Sequence, residues 1–460
     1  MSVRAHNMTE GGVARHLVRY SIPAILGDLF QVTYNTVDSV IVGKFAGAGA
    51  LAAVGVASPL MSVAMFFIIG IGIGASVLMS EFYGAGDARA LRREFATTLA
   101  LGAALSAAIA LGLFALAGPL LRLCRTPADI MADTARYLRI VALGMVVTSL
   151  YNILAAASRS IGDTLTPLIC LVVGSLSNVG LDLLFVARFH MGVAGAAWAT
   201  VIAQAMSALL CAALLRKNEP VLFAGRGGFA VDRALLGRTV RFSVPSALQQ
   251  AGIYIGKLLV QSAVNPLGVS AIAAFNAVNR IDDYALIPER DIAGGETVLI
   301  AQNRGANKPE RMRRGFFAAM AMETAYGLVV SAAVFALAGP LMGLFVDPSE
   351  TEVIRLGTRY LRLMGFFYFM PGITNGLQGY MRAMGKLKIT MYVTYSQMFT
   401  RAAFTFLLIG RMGLDAVPVA CAAGWALMMV WEIGLMVKWR RDQNQGDCLK
   451  TNKRLSMYML

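Results

Sequence analysis

Apolar stretches about 20 residues long recur roughly a dozen times along the chain, and that length matches the hydrocarbon thickness a helix must cross. They centre near residues 32, 67, 104, 144, 176, 203, 252, 284, 325, 366, 398 and 427. That many spans nearly exhaust 460 residues and leave no room for a separate soluble domain. Composition agrees: 57% of residues are apolar and 15% charged, against about 25% charged in an ordinary soluble domain. The expected fold is an all-α polytopic membrane protein with twelve transmembrane helices.

The net charge of +15 would suggest nucleic acid in a soluble protein. Here the basic residues follow the positive-inside rule. Alternate loops carry them: Arg89, Arg92 and Arg93; Arg216 through Arg241; Arg304 through Arg314; Arg382, Lys386 and Lys388; and a tail with Lys438, Arg440 and Arg441. The intervening loops around Lys44, Arg188, Asn265 and Asp347 carry few. The asymmetry predicts a multi-pass protein of the cell membrane with both termini in the cytoplasm, in contact with lipid and not with nucleic acid. Of the five cysteines, Cys170, Cys211 and Cys421 fall in apolar spans and Cys448 in the tail, without metal or redox spacing. The N-terminus is polar and lacks the apolar core of a signal peptide, so the first helix is expected to be retained.

The chain repeats itself after roughly 221–223 residues, a tandem pattern expected of transporters built from parallel halves. Tyr20-Ser-Ile-Pro23 returns as Phe242-Ser-Val-Pro245, Ala50-Leu-Ala-Ala53 as Ala271-Ile-Ala-Ala274, and Gly84-Ala85 as Gly305-Ala306. Leu116-Ala-Gly-Pro-Leu120 recurs letter for letter as Leu337-Ala-Gly-Pro-Leu341. Arg136-Tyr-Leu-Arg139 recurs as Arg359-Tyr-Leu-Arg362, and Arg159-x-x-Gly162 as Arg382-x-x-Gly385. Six helices per repeat means that both halves enter the membrane from the same side, related by a pseudo-two-fold axis along its normal. The expected division is an N-terminal lobe over 1–216, a cytoplasmic loop over 217–235 that contains Gly225-Arg-Gly-Gly228, a C-terminal lobe over 236–440 and a basic tail over 441–460. Two lobes around a central cavity can rock to give alternating access. Pro23 and Pro245 each lie early in the first helix of a lobe, where proline removes a hydrogen bond and kinks the backbone. Pro23 is therefore a candidate hinge, with a plain helix start as the competing reading. Gly70-x-Gly72-x-Gly74 has no strand around it and reads as close helix packing rather than a dinucleotide loop.

Asp38 and Asp182 sit inside apolar spans, where an unpaired charge is expensive. If the first helix runs outward to about Lys44, Asp38 lies roughly 9 Å from its outer end at 1.5 Å per residue. The fifth helix also runs outward and sets Asp182 at a similar depth, with Asn178 one turn away on the same face. The sixth helix returns inward and brings Thr200 to the same level. Asp38, Asn178, Asp182 and Thr200 thus form one oxygen-rich layer suited to Na⁺, and the same carboxylates close together could instead share a proton. Gln31, Tyr34, Asn35 and Asp38 follow helical spacing as a polar stripe facing a wet cavity. A buried hydrogen-bond network that only joins helices is the competing reading, though Ser, Thr and Asn would do that more cheaply than two carboxylates.

These residues carry a resemblance to the multidrug and toxic compound extrusion (MATE) family over residues 15 to 440. The matching features are Pro23 followed by Tyr34-Asn-x-x-Asp38-x-x-x-x-Gly43, Asn178-x-x-x-Asp182, Thr200, and the Gln302-Asn-x-Gly-Ala306 loop. The resemblance implies a Na⁺ or H⁺ site at the N-lobe aspartates with Asn178 and Thr200, and a first helix that bends at Pro23. The family's other pattern, a C-lobe cation site with a glutamate in helix 7, is not matched: that stretch reads Leu248-Gln249-Gln250. Coupling is therefore expected in the N-lobe alone.

Around helix 8, Arg280, Asp282, Asp283, Glu289, Arg290 and Asp291 fall in a nominal span, followed by Glu296. Lys257 in helix 7 is a candidate partner for one of these acids, and Asp28 in helix 1 a candidate for the same cavity. An acidic wall there would favour cationic substrates; the competing reading is a structural ion-pair network, with Pro288 breaking the helix. The sequence thus reads as an antiporter, not an enzyme, that acts as a monomer without a bound cofactor and exports amphipathic organic molecules against Na⁺ or H⁺. The alternative within the superfamily is a flippase for a lipid-linked or polysaccharide precursor. A membrane prenyltransferase, suggested by Asn178-x-x-x-Asp182, would need further aspartates for Mg²⁺ and pyrophosphate, yet the position one turn on is Val186.

Overall fold

The computed structural model describes residues 7–223 and 230–457, with side chains described up to residue 439 except at position 48. The Gly225-Arg-Gly-Gly228 motif and the side chains of the basic tail, including Cys448, lie outside the described residues. Within them the chain forms fourteen α-helices and no strand. The first lobe contains α1 (Val13–Ala46), α2 (Ala48–Gly84), α3 (Ala88–Leu123), α4 (Ala128–Ser160), α5 (Leu165–Asp182) and α6 (Gly192–Asn218). The second contains α7 (Arg233–Val264), α8 (Val269–Ala285), α9 (Ile287–Gly305), α10 (Pro309–Gly343), α11 (Thr351–Gly365), α12 (Phe369–Ala383), α13 (Leu387–Met412) and α14 (Ala416–Met457).

Fourteen helices make twelve spans because two spans of the second lobe are broken. α8 and α9 together repeat α2, and α11 and α12 together repeat α4. The first break falls at Leu286, just before Pro288, whose ring cannot follow a preceding helical turn without clash. The second falls between Gly365 and Phe369. By length and composition, seven helical stretches suffice to cross a membrane: α2, α3, α4, α5 with its extension, α6, α10, and α13–α14 taken together. Those that fall short are α1 and α7, which carry the polar residues, and the broken pairs.

The lobes meet along α2, α7 and α9, with α1 against α9. Small residues permit this contact. A Cβ on Gly70 or Gly74 of α2 would run into the backbone of Ala247 or Ser243 of α7. Polar bonds close the same end of the molecule, where the basic loops lie. Arg238 and Arg304 both donate to Glu81, at 2.8 and 2.5 Å, and the Gln302 amide reaches the carbonyl of Ser160 at 2.9 Å. Arg311 caps the carbonyls of Met8 and Gly11 at 2.9 and 2.8 Å, which ties the N-terminal segment to α10. α1 runs without interruption through Pro23, and α7 through Pro245. Pro23 lies ten residues inside α1, so it does not mark a helix start.

Candidate functional site

α1 packs on α5 and α6, and this three-helix contact assembles the polar layer of the first lobe. Asp38 of α1 and Asp182 at the last turn of α5 bring their carboxyl groups within hydrogen-bonding reach of each other. Asp182 and Asn178 are fully buried, and Asp38 is half-buried. One oxygen of each aspartate, Oδ1, is buried with no donor to satisfy it.

Asn178 holds the layer together. Its amide donates to Asp182 Oδ2 at 2.9 Å, accepts from the backbone N–H of Thr200 at 3.1 Å, and is hydrogen-bonded to the Tyr34 hydroxyl. Thr200 therefore joins through its backbone; its hydroxyl donates to the Ala196 carbonyl of its own helix at 3.0 Å. On α1, the Gln31 amide donates to Asn35 at 3.0 Å, continuing the stripe of which Tyr34 and Asp38 are part.

Sequence reasoning missed two features here. Tyr137 of α4 stands close to both carboxylates, and its Arg136-Tyr-Leu-Arg139 motif marks a repeat without pointing to the site. Directly after Asp182 the chain widens into a π-helical segment, Leu183–Arg188, a distortion that recurs at functional sites. It changes the helical phase of the residues that follow Asp182.

The residues around helix 8 divide into two sets. Asp283 pairs with Lys257 at 3.2 Å, and Asp28 with Arg290 at 2.8 Å, both partly exposed between the lobes. Glu289 and Glu296 are different: both are fully buried. Glu289, expected on the cavity wall, instead faces α10 and α12, against Gly327 and Gly372. Asp282 accepts a hydrogen bond from Tyr368, just before α12. Positions 289 and 296 lie seven residues apart on α9 and share the face that packs on α10 and α12, while Asp282 belongs to α8, before the break. The expected acidic wall is therefore thinner than the composition suggests. Asp28, Asp283 and Asp291 stand against Lys257, Arg290 and Arg159.

Known proteins supply the context for this geometry. A model of the MatE family matches residues 23–184 and again 245–407, one copy in each lobe. The chain is 28% identical over 413 residues to a probable multidrug resistance protein, YpnP, of Bacillus subtilis, covering 89% of this chain and 92% of that protein. It superposes on the crystal structure of a MATE protein in complex with MaL6 with a TM-score of 0.88 and 22% identity, over 94% of this chain and 98% of the other. A MOP superfamily transporter from Pyrococcus furiosus, described as having a binding pocket of reversed polarity, matches with a TM-score of 0.86 and 21% identity, over 95% and 99%. These superpositions establish the two-lobe fold. The family model spans well over half the sequence in two copies that fall on the two repeats, and the chain belongs to the MatE family of multi-pass membrane transporters.

Proposed function

We propose that this transporter is a secondary active antiporter that exports amphipathic organic compounds in exchange for a monovalent cation bound at Asp38 and Asp182. The reading rests on one observation: two carboxyl groups from separate helices face each other, each with a buried oxygen that lacks a donor. A proton between them removes one charge and satisfies both oxygens, because like carboxylates resist joint ionisation. Na⁺ is the competing ion, with Asn178 and Thr200 completing its shell.

Neutralising the pair removes the repulsion between the two carboxylates and so changes how the end of α1 sits against α5 and α6. With Pro23 lower on the same helix, α1 is then free to bend toward the cavity and displace substrate. Cation and substrate must favour different states for the exchange to be coupled. The positive-inside asymmetry supports a cell-membrane location with both termini in the cytoplasm, and the two lobes within one chain support function as a monomer.

Amphipathic compounds fit this reading, since a probable multidrug resistance protein of Bacillus subtilis is among the relatives, while the charges there set Asp28, Asp283 and Asp291 against Lys257, Arg290 and Arg159. The acids and bases there balance. A lipid-linked or polysaccharide precursor is the runner-up for that reason, and the reversed pocket polarity described for the Pyrococcus furiosus transporter supports keeping it. The test is efflux of a fluorescent organic cation from proteoliposomes under imposed pH or Na⁺ gradients, with Asp38→Asn and Asp182→Asn alongside. Gradient-driven efflux should be lost in both variants. Full coupled efflux in either would overturn the proposal.

A further inference from the structure

The interior of the second lobe holds charges that the N-lobe site does not use. Glu289 and Glu296 of α9, Glu323 of α10 and Glu432 of α14 are all fully buried. None of their eight carboxylate oxygens has a hydrogen-bond partner in the protein apart from an approach of the Gln378 amide to Glu432. Arg382 of α12 lies among Glu296, Glu323 and Glu432, and Glu289 stands next to Glu323. One guanidinium cannot neutralise four carboxylates, and ionised carboxylates buried without partners are too costly to persist. Most of them must carry protons when the lobe is folded as seen.

The tandem repeat provides an internal control. Positions equivalent to Glu289 and Glu296 in the first lobe are Ile68 and Ala75, both buried and apolar. The equivalent of Glu323 is Gly102, and a Cβ there would strike the side chain of Ile153. The equivalent of Ile153 is Gly376, and a Cβ there would strike the carboxylate of Glu323. The first lobe fills this space with an isoleucine against a glycine; the second fills it with a glutamate from the opposite helix against a glycine. Gly379 makes the same kind of room for Glu296, and Gly327 and Gly372 for Glu289, at 3.1 and 3.3 Å from its Oε1 to where a Cβ would lie. The fold is therefore satisfied without these acids, and the second lobe has been carved to hold them.

Their location suggests what they do. Glu289 lies in the first turn of α9, immediately after the α8–α9 break, and Gly327 beside it also abuts Tyr368 and Phe369 at the α11–α12 break. Neither break exists in the corresponding helices of the first lobe. We propose that Glu289, Glu296 and Glu323 form a second proton-binding site, in the C-lobe, whose loss of protons repels the carboxylates from one another and moves the two broken spans at their hinges. The groups that face this site are Arg382 and Tyr380 from α12, Tyr326 from α10 and Glu432 from α14. On the far side of α9, α1 contributes Tyr20 against Gly295. No three acids lie close enough together to hold a metal ion among the described residues, which favours protons over a shared cation.

The inference takes the transporter reading as given but is tested without it. Purified full-length protein in lipid nanodiscs is titrated with pH while the infrared C=O band of protonated carboxyl groups is followed. In Asp38→Asn/Asp182→Asn protein, a titrating carboxyl band should persist, and adding Glu323→Gln should diminish it. Because a buried substitution can impair folding, Glu323→Gly/Gly376→Ile serves as a second variant that transplants the first lobe's own packing. It should fold, with a cooperative thermal transition, and lose the same part of the band. Absence of any titrating band in the double aspartate variant would overturn the proposal, and so would a band that responds to Na⁺ at fixed pH or survives both Glu323 variants. Failure of gradient-driven efflux in the aspartate variants bears on the N-lobe alone, so the two readings fail separately.

Discussion

Gly84 and Gly305 occupy equivalent places in the two repeats, and each is pressed against the main chain of the opposite lobe. A Cβ on Gly84 would collide with the carbonyl of Gln302, and one on Gly305 with the carbonyl of Glu81. Glu81 and Gln302 each precede their own glycine by three residues. The contact is thus made twice, as at a two-fold axis, and the pseudo-symmetry axis runs between the ends of α2 and α9.

Gly84→Ala and Gly305→Ala should each force these ends apart. Overpacking of a tight contact costs about 1–3 kcal/mol, and here it falls on the closed state alone. The expected result is a shift toward a conformation open at the basic end, with folding retained. Thiol labelling of a cysteine placed at Ser160, on a background free of native cysteines, reports the opening. Unchanged labelling in both variants would show that the glycines do not govern closure.

Glu81 receives both Arg238 and Arg304, and all three side chains remain partly exposed. Solvent weakens each pair, so about 1 kcal/mol apiece is the appropriate scale. Glu81→Gln should loosen closure mildly, and Glu81→Lys strongly, because it would set three cations together. Spin labels at the ends of α2 and α9 measure this as a broadened and lengthened distance distribution. A distribution in the Lys variant identical to the parent's would rule out an electrostatic latch.

At the N-lobe site the variants should rank by how directly they disturb the carboxylates. Asp38→Asn and Asp182→Asn abolish coupling. Asn178→Ala removes the donor to buried Asp182, and a stranded buried acceptor costs about 1–3 kcal/mol, a loss of roughly ten- to a hundredfold in efflux. Tyr34→Phe keeps the ring and removes one hydroxyl, with a loss of about 1 kcal/mol, or several-fold. Initial efflux rates at fixed gradient give the order directly, and a Tyr34→Phe defect exceeding that of Asn178→Ala would contradict the central place of the amide.

Much of this site was legible because depth along a helix is simple arithmetic. Asp38, Asn178 and Asp182 were placed in one layer from the direction of the spans and the rise per residue, and the family resemblance agreed with that layer. Tyr137 was not legible, since it reaches the pair only through packing of α4 on α6. The Thr200 hydroxyl donates to the carbonyl of Ala196, which leaves its oxygen lone pairs open to a cation. The acids near helix 8 were visible individually, but both faces of that segment carry them. Periodicity alone could not tell that 282, 289 and 296 turn inward while 283 and 290 face the cavity. Glu323, Arg382 and Glu432 each stand alone in a separate helix, and only tertiary packing makes them a group.

Asp28 and Arg290 bridge the lobes at 2.8 Å, with side-chain exposures of 41% and 62%. A pair so open contributes about 0–1 kcal/mol to stability, so Arg290→Ala should leave the thermal transition nearly unchanged. Its effect should appear in selectivity instead. Without the guanidinium, Asp28 loses its counter-charge and the space between the lobes becomes more acidic. Apparent affinity for a cationic dye should rise several-fold and that for an anionic dye should fall, while Asp28→Asn should move both in the opposite direction. These opposed shifts, read from competition for efflux in proteoliposomes, separate a cavity role from a structural one. Parallel losses for both dyes in both variants would mean that the pair holds the lobes together and does not face substrate.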